Sequence, residues 1–246
     1  MTETSDRFRI SQSGAVAEIT LCQGDEGNTL APPDMRALGK AIREAGSDGA
    51  VNVVVVSGEG EDFCLGRRVM PGKTPPRKAR DFRARVADAI LSVYEHVRMT
   101  PVPVLAAVQG RARGFGCAFV AQSDITIAEA GAQFSLPEMD TNLPPTLAIS
   151  ACLPKMPAKS VLNLVLTRAP IDAETAFAHG LVTEIAPAGG LRAAVDAYLN
   201  KLIDRDRDAL VAIKEYMRLA PSMDLAGQAR YGANLIAVEM TSQGED

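Results

Sequence analysis

Two segments of this chain leave almost no place for a solvent-facing side chain. Val51–Val56 is apolar apart from one asparagine, Val104–Val108 is apolar throughout, and β-branched or small residues dominate both. Such runs suit strands buried on both faces, as in a parallel sheet covered by helices. The stretch between them supplies a helix. Lys78–Arg98 carries Phe82, Val86, Ala89, Ile90 and Val93 at helical spacing, facing inward, and Pro101 and Pro103 end it.

The flanking sequence extends this pattern. Val16–Leu21 alternates apolar and polar residues, as a half-buried strand does. After a turn-rich connection, Asp34 is expected to cap a helix reaching Ala45, with Met35, Leu38 and Ile42 on one face. A small-residue helix over 114–121 and a strand over Ile125–Ala128 follow. This alternation predicts an α/β fold with buried parallel strands. Beyond Pro145 the β signal fades. Ile149–Leu153, Lys159–Leu166, Asp172–His179, Leu191–Ile203 and Asp208–Leu219 read as helices. The expected division is a core over 1–185 and a helical region over 186–246. The apolar faces of the latter need their own core or a neighbouring subunit.

Composition narrows the functional classes. The 246 residues are 47% hydrophobic and 23% charged, enough for a core without disulfides. Cys22, Cys64, Cys117 and Cys152 form no CxxC pair, so buried free thiols are expected rather than a metal site or a redox dithiol. Met1–Arg9 is polar and charged, unlike a secretory signal, and no apolar run approaches bilayer length. A cytoplasmic location is the expectation. The net charge of −4 provides no global field for nucleic acid. A local basic segment (Arg67, Arg68, Lys73, Arg77, Lys78, Arg80, Arg83 and Arg85, opposed by Asp81) suits the phosphates of a ligand or a solvated helix face equally well. Only one aromatic residue, Phe82, interleaves it, too few for the base stacking that RNA binding uses.

Three segments could carry chemistry. Phe63-Cys64-Leu65-Gly66-Arg67-Arg68 follows a buried strand and turn, where glycine lets a ligand approach the backbone. Gly110–Ala118 follows the second buried strand and opens a helix, with glycines at 110, 114 and 116. Its spacing is not GxGxxG, so a dinucleotide fingerprint is rejected. A helix start can instead hold a developing oxyanion. Phe134–Met139 contains Pro137-Glu138, a carboxylate among apolar neighbours that suits a general base of raised pKa. Taken singly, each segment also reads as close packing or an ordinary loop.

Taken together, their order and spacing resemble the crotonase (enoyl-CoA hydratase/isomerase) superfamily. Phe63–Arg68 is similar to its F-C-A-G-x-D stretch, Gly110–Ala118 to N-G-x-A-x-G-G-G-C-E, and Ala132–Glu138 to A-x-F-x-x-P-E. Asn28-Thr29-Leu30 resembles the early N-A-L turn, Thr167–Val182 a later family helix, and the surroundings of Lys214 a late one.

The resemblance implies a spiral of ββα turns with a helical C-terminal region used in trimerisation. It implies an acyl-CoA substrate, with coenzyme A part of that substrate and no separate cofactor, and a homotrimer or dimer of trimers. The thioester oxygen would be held by the backbone N–H groups of Leu65 and Phe115, with Glu138 as acid/base. Cys64, Gly66, Arg67, Arg68, Gly114 and Lys214 would line or bind the substrate. Two departures refine this. The first glutamate of the hydratases falls on Ala118, leaving Glu138 alone, as in the family's double-bond isomerases. Arg68 stands where the family often has aspartate. The aspartate nucleophile of the family's dehalogenases would fall near Pro145, against that activity. A hydratase, an acyl-CoA hydrolase and a non-catalytic thioester-binding protein are the competing readings. His96 and His179 fit helix C-terminal positions without a catalytic role.

Overall fold

The computed structural model describes residues 3–4, 6–68 and 78–242. Its strands are β1 (Glu3–Thr4), β2 (Phe8–Ser13), β3 (Val16–Leu21), β4 (Val53–Gly58), β5 (Val104–Val108), β6 (Arg111–Arg113), β7 (Ile125–Glu129), β8 (Gln133–Ser135), β9 (Ile171–Asp172) and β10 (Glu184–Ala186). The helices are α1 (Pro32–Ser47), α2 (Ala79–Phe82), α3 (Asp88–Met99), α4 (Phe115–Gln122), α5 (Thr146–Cys152), α6 (Ala158–Thr167), α7 (Ala173–Ala178), α8 (Leu191–Leu199), α9 (Arg207–Leu219) and α10 (Leu225–Ser242).

Seven strands form one sheet in the order β1-β2-β3-β4-β5-β7-β10. β1 to β3 pair antiparallel, and from β3 onward every pairing is parallel. The unbroken valines of β4 now have a reason. Val54 and Val56 join the core shared with Met35, Leu38 and Ile42 of α1 and Val93 and Val97 of α3. Val53 and Val55 point to the other face, where Leu105, Ala107 and Ile127 pack on Val195 and Leu199 of α8. Both faces are covered, so neither tolerates a polar side chain.

A second, smaller ladder lies beside this sheet. β6 pairs parallel with β8, and β8 antiparallel with β9. Single-residue bridges extend it: Cys64 pairs with Ala112, and Arg67 with Leu30. Successive turns of the chain therefore place one strand in the large sheet and one rung in the small ladder before a helix. This is the ββα spiral expected from the sequence.

Several elements depart from expectation. Helix α1 starts at Pro32, not after Asp34, because prolines suit the first helical positions. Asp34 lies inside the first turn, where its Oδ2 accepts the Ala31 N–H at 2.9 Å. β4 begins two residues later than the valine run, because Val51 and Asn52 still belong to the incoming turn. Phe82, expected inward, is exposed, since five π-helical residues, Arg83–Ala87, interrupt the helix and rotate its face. Lys73 and Arg77 lie outside the described residues. The helix expected over Leu191–Ile203 stops at Leu199. The division expected at residue 185 falls within β10, and α8 beyond it packs on the main sheet. No helix among the described residues is long and apolar enough to cross a membrane.

Candidate active site

The small ladder brings the three singled-out segments side by side. The Cys64 N–H donates to Arg111 O at 3.2 Å, and the Arg113 N–H returns to Cys64 O at 2.9 Å. The Gly114 N–H donates to Ser135 O at 2.8 Å. Residues 64–66, 112–115 and 133–138 are thereby adjacent, although far apart in sequence. Leu65 follows one rung directly, Phe115 follows β6 by two residues, and Glu138 follows β8 by three.

Two glycines permit this approach. Gly66 has φ +104°, and a Cβ there would come 2.9 Å from Arg113 O and 3.6 Å from the Phe115 nitrogen. Gly114 has φ +56°, and a Cβ there would stand 2.9 Å from Glu138 Oε1. Any side chain at Gly114 would press on the carboxylate and adopt a backbone conformation that L-residues avoid.

Glu138 begins a 3-10 turn, Glu138–Thr141, and its side chain turns inward. Its Oε2 is buried without a hydrogen-bond partner among the described residues. Burial raises its pKa above the usual carboxylate value, Asp140 raises it further, and backbone hydrogen bonding and Arg113 pull the other way. An orphaned buried carboxylate oxygen is costly and rare away from functional sites. The N–H of Phe115, the first amide of α4, likewise has no acceptor among the described residues. That is the ordinary state of a helix N-terminus and a ready position for an oxyanion.

The other expected donor is in a different state. The Leu65 N–H donates to Gly27 O at 2.8 Å, so this main-chain group is engaged within the protein. Gly27 has φ +63°, and a Cβ there would overlap the Leu65 side chain, which lies against it.

Most of the expected substrate-binding side chains are paired with other protein groups. Cys64 is buried, its Sγ donates to Asn28 O at 3.2 Å, and burial pushes its thiol pKa up to about 12. It is an uncharged core thiol. Arg68 reaches back to Asp34 at 3.4 Å and Glu26 at 3.7 Å, which hold it near the start of α1. Lys214 is buried, and its Nζ contacts Asp124 at 2.7 Å, Val102 O at 2.9 Å and Val97 O at 3.0 Å. All three of its donors are used, so it anchors α9 to the end of α3 and the start of β5 and has none left for a phosphate. Gly66 and Gly114 lie in the site as backbone. Arg67, partly buried beside Leu30, has no ion-pair partner among the described residues. In the basic segment Asp88 also offsets Arg83, at 3.4 Å.

Other contacts matter here that the sequence did not announce. Asp62, nearly buried, accepts from Arg111 N at 3.0 Å, Nε at 2.8 Å and Nη2 at 2.7 Å. This ties the loop carrying Leu65 to the strand leading to Phe115. Asn28 is buried and donates to Asp62 O at 2.8 Å and Glu59 O at 2.9 Å. Arg113 and Arg168 flank Asp140. These partners lie tens of residues apart, so no local pattern announces them.

Residues 11–244 match the sequence model described as enoyl-CoA hydratase/isomerase. The human mitochondrial enoyl-CoA hydratase domain-containing protein 3 is 29% identical over 184 residues, covering 74% of this chain and 59% of the human one. The chain thus spans less than two thirds of that relative's length. The crystal structure of that human protein superposes with a TM-score of 0.89 at 25% identity, covering 96% of this chain and 92% of the other. A Rhizobium meliloti protein described as a probable enoyl-CoA hydratase is 29% identical over 92% of this chain and 86% of its own length. The carnitinyl-CoA dehydratase of Salmonella enteritidis is 25% identical over 92% of this chain and 86% of its own length. The ββα spiral, the abutting 65 and 115 loops and the match over nearly every residue agree: the chain belongs to the enoyl-CoA hydratase/isomerase family.

Proposed function

We propose that the protein acts on an acyl-CoA thioester through an enolate, and that its reaction is migration of the double bond in an enoyl-CoA. The observation that carries this reading is the buried, unpartnered Oε2 of Glu138 beside a helix-start amide. A base of raised pKa removes a proton from C2 of a 3-enoyl thioester. The negative charge passes to the thioester oxygen, and the carboxylic acid so formed returns the proton to C4. One carboxylate suffices, and no water enters. The Phe115 N–H would hold the oxyanion throughout. The Leu65 N–H would join once the thioester oxygen replaces Gly27 O as its acceptor.

Two other readings have specific support. Relatives named as a hydratase and a dehydratase favour addition or removal of water, for which Glu138 would need a second proton-carrying group. Ala118 sits fully buried where the family's hydratases have that group. The Leu65–Gly27 hydrogen bond favours a protein that binds thioesters without turnover. Exposed Ile213 and Met217 on α9, and Leu225, Ile236, Val238 and Met240 on α10, support assembly into a trimer through the C-terminal helices.

The deciding experiment supplies 2-enoyl-CoA and 3-enoyl-CoA panels and follows migration, water addition and free thiol release separately. The proposal expects migration alone, abolished in Glu138→Gln. Thiol release would establish hydrolysis, and tight binding without conversion would establish the non-catalytic reading. Ala118→Glu adds a second check. Gain of hydration would show a hydratase-shaped pocket lacking only its second carboxylate.

A further inference from the structure

The strongest unexplained feature near the site is a three-residue charged bridge. Asp140 lies two residues beyond Glu138 in the same 3-10 turn. Its Oδ1 lies 2.9 Å from Arg168 Nε as an ion pair, and its Oδ2 lies 3.8 Å from Arg113 Nη2. Arg113 immediately precedes Gly114 and the Phe115 amide, and Arg168 caps the C-terminus of α6. One carboxylate thus links the turn bearing the acid, the strand bearing the amide and the end of a packed helix.

Arg168 holds this position with a left-handed backbone, φ +60° and ψ +2°, where glycine would be unstrained. All three side chains are about half exposed, and ion pairs of that kind add little to stability. The left-handed residue also ends α6, its N–H reaching Leu164 O at 3.1 Å, but glycine would do that without strain. Backbone strain retained beside a reactive group points to a role there.

We infer that Arg168 and Asp140 are positioning residues: they clamp the Glu138 turn against α6 and, through Arg113, against the amide strand, fixing the base relative to the oxyanion site. The guanidinium acts on the turn and not on substrate. This inference rests on the proposed enolate chemistry. Its test therefore includes a readout independent of double-bond migration.

Arg168→Gly, Arg168→Lys and Asp140→Asn are compared with the unaltered protein. Each is assayed for enoyl-CoA turnover, for enolate formation from acetoacetyl-CoA by difference absorbance, and for thermal unfolding. Arg168→Gly relieves the left-handed strain, so its unfolding midpoint stays the same or rises. Its kcat and its enolate yield fall about tenfold while KM changes less than about twofold, because a small displacement of the base affects the proton-transfer step most. Asp140→Asn behaves alike, and Arg168→Lys restores part of kcat through its remaining charge. Arg168→Gly with unchanged kcat and unchanged enolate yield overturns the inference. So does a fall in KM-limited binding alone, or a loss that Lys does not relieve at all. If the unaltered protein forms enolate but moves no double bond, the isomerase reading fails, and the enolate comparison still decides the clamp.

Discussion

The two loops that meet at the candidate site are built to different standards of completeness. On the 62–68 side the expected donor is already paired: Leu65 N–H reaches Gly27 O, next to Leu30 N–H on Gly66 O and Arg68 N–H on Leu30 O. On the 114–138 side, neither Phe115 N–H nor the buried Glu138 Oε2 has a hydrogen-bond partner among the described residues. A helix-start amide is ordinarily open, but a buried carboxylate oxygen without a partner costs stability. On the proposed reading, the incomplete side would receive the substrate. The complete side must exchange one of its own hydrogen bonds before it takes part.

The widest gap between the two sides should appear on removing the lone acid. Glu138→Gln is expected to lower turnover by about 10²–10⁴-fold, the usual contribution of a positioned acid/base. It should also raise the unfolding midpoint at neutral pH. Burial raises this carboxyl's folded pKa, so the fold favours its protonated form and loses stability as pH climbs from the unfolded value toward the folded one. Glutamine has no charge to bury, so the wild-type penalty above that window disappears. Activity of the unaltered protein should rise with pH through the same raised pKa, because the base must be ionised. A variant both inactive and less stable would show that Glu138 is structural.

Crowding the same side should have the next largest effect. Gly114→Ala places a Cβ 2.9 Å from Glu138 Oε1 at φ +56°. We expect turnover to fall about 10–100-fold, as displacement of the reacting group does, and stability to fall by about 1 kcal/mol from the left-handed backbone. Activity and thermal unfolding, measured together, separate the two. Equal activity with lower stability would place the carboxylate away from the reacting atoms.

The satisfied side should respond in stability first. Asp62 accepts three hydrogen bonds from Arg111, and these hold its pKa below the usual carboxylate value. A depressed carboxyl contributes stability that is full above its unfolded pKa of about 3.9 and is lost as pH falls through the folded value. Asp62→Asn should therefore cost about 1–3 kcal/mol at pH 7, with the difference from wild type shrinking below about pH 4. Denaturant unfolding at both pH values checks it. A gap that persists in acid would trace the loss to packing.

What could be read from the sequence divides along similar lines. The valine run of β4 and the apolar run of β5 announce themselves, because burial on two faces removes every polar residue at once. The motif residues Leu65, Phe115 and Glu138 were recognisable from their order, and the ladder does bring their segments together. The strands that align them were not legible. β6 and β8 are three residues long and β9 two, too short for any period to show. Lys214 was expected to line or bind the substrate because its helix resembles a family helix. Only tertiary packing onto Val97 O, Val102 O and Asp124 reveals the anchor. The Gly27–Leu65 hydrogen bond was equally hidden, since a backbone donor leaves no trace in residue identity.

The smallest expected effect falls on that hydrogen bond. The Leu65 side chain, partly buried, lies against Gly27 and covers the segment whose carbonyl its own N–H occupies. Leu65→Ala removes that cover while leaving the amide in place. Stability should drop by about 1 kcal/mol, less than for a fully buried leucine. Exchange of Gly27 O for a thioester oxygen should become slightly easier, because a donor released more readily is available to the ligand for a larger fraction of the time. Affinity for acetoacetyl-CoA should then rise about two- to threefold, a change calorimetry resolves. Weaker binding would mean that the leucine side chain aims the amide rather than restraining it. Unchanged binding would mean that the Leu65 amide stays with Gly27, leaving the helix-start amide of Phe115 to hold the oxyanion alone.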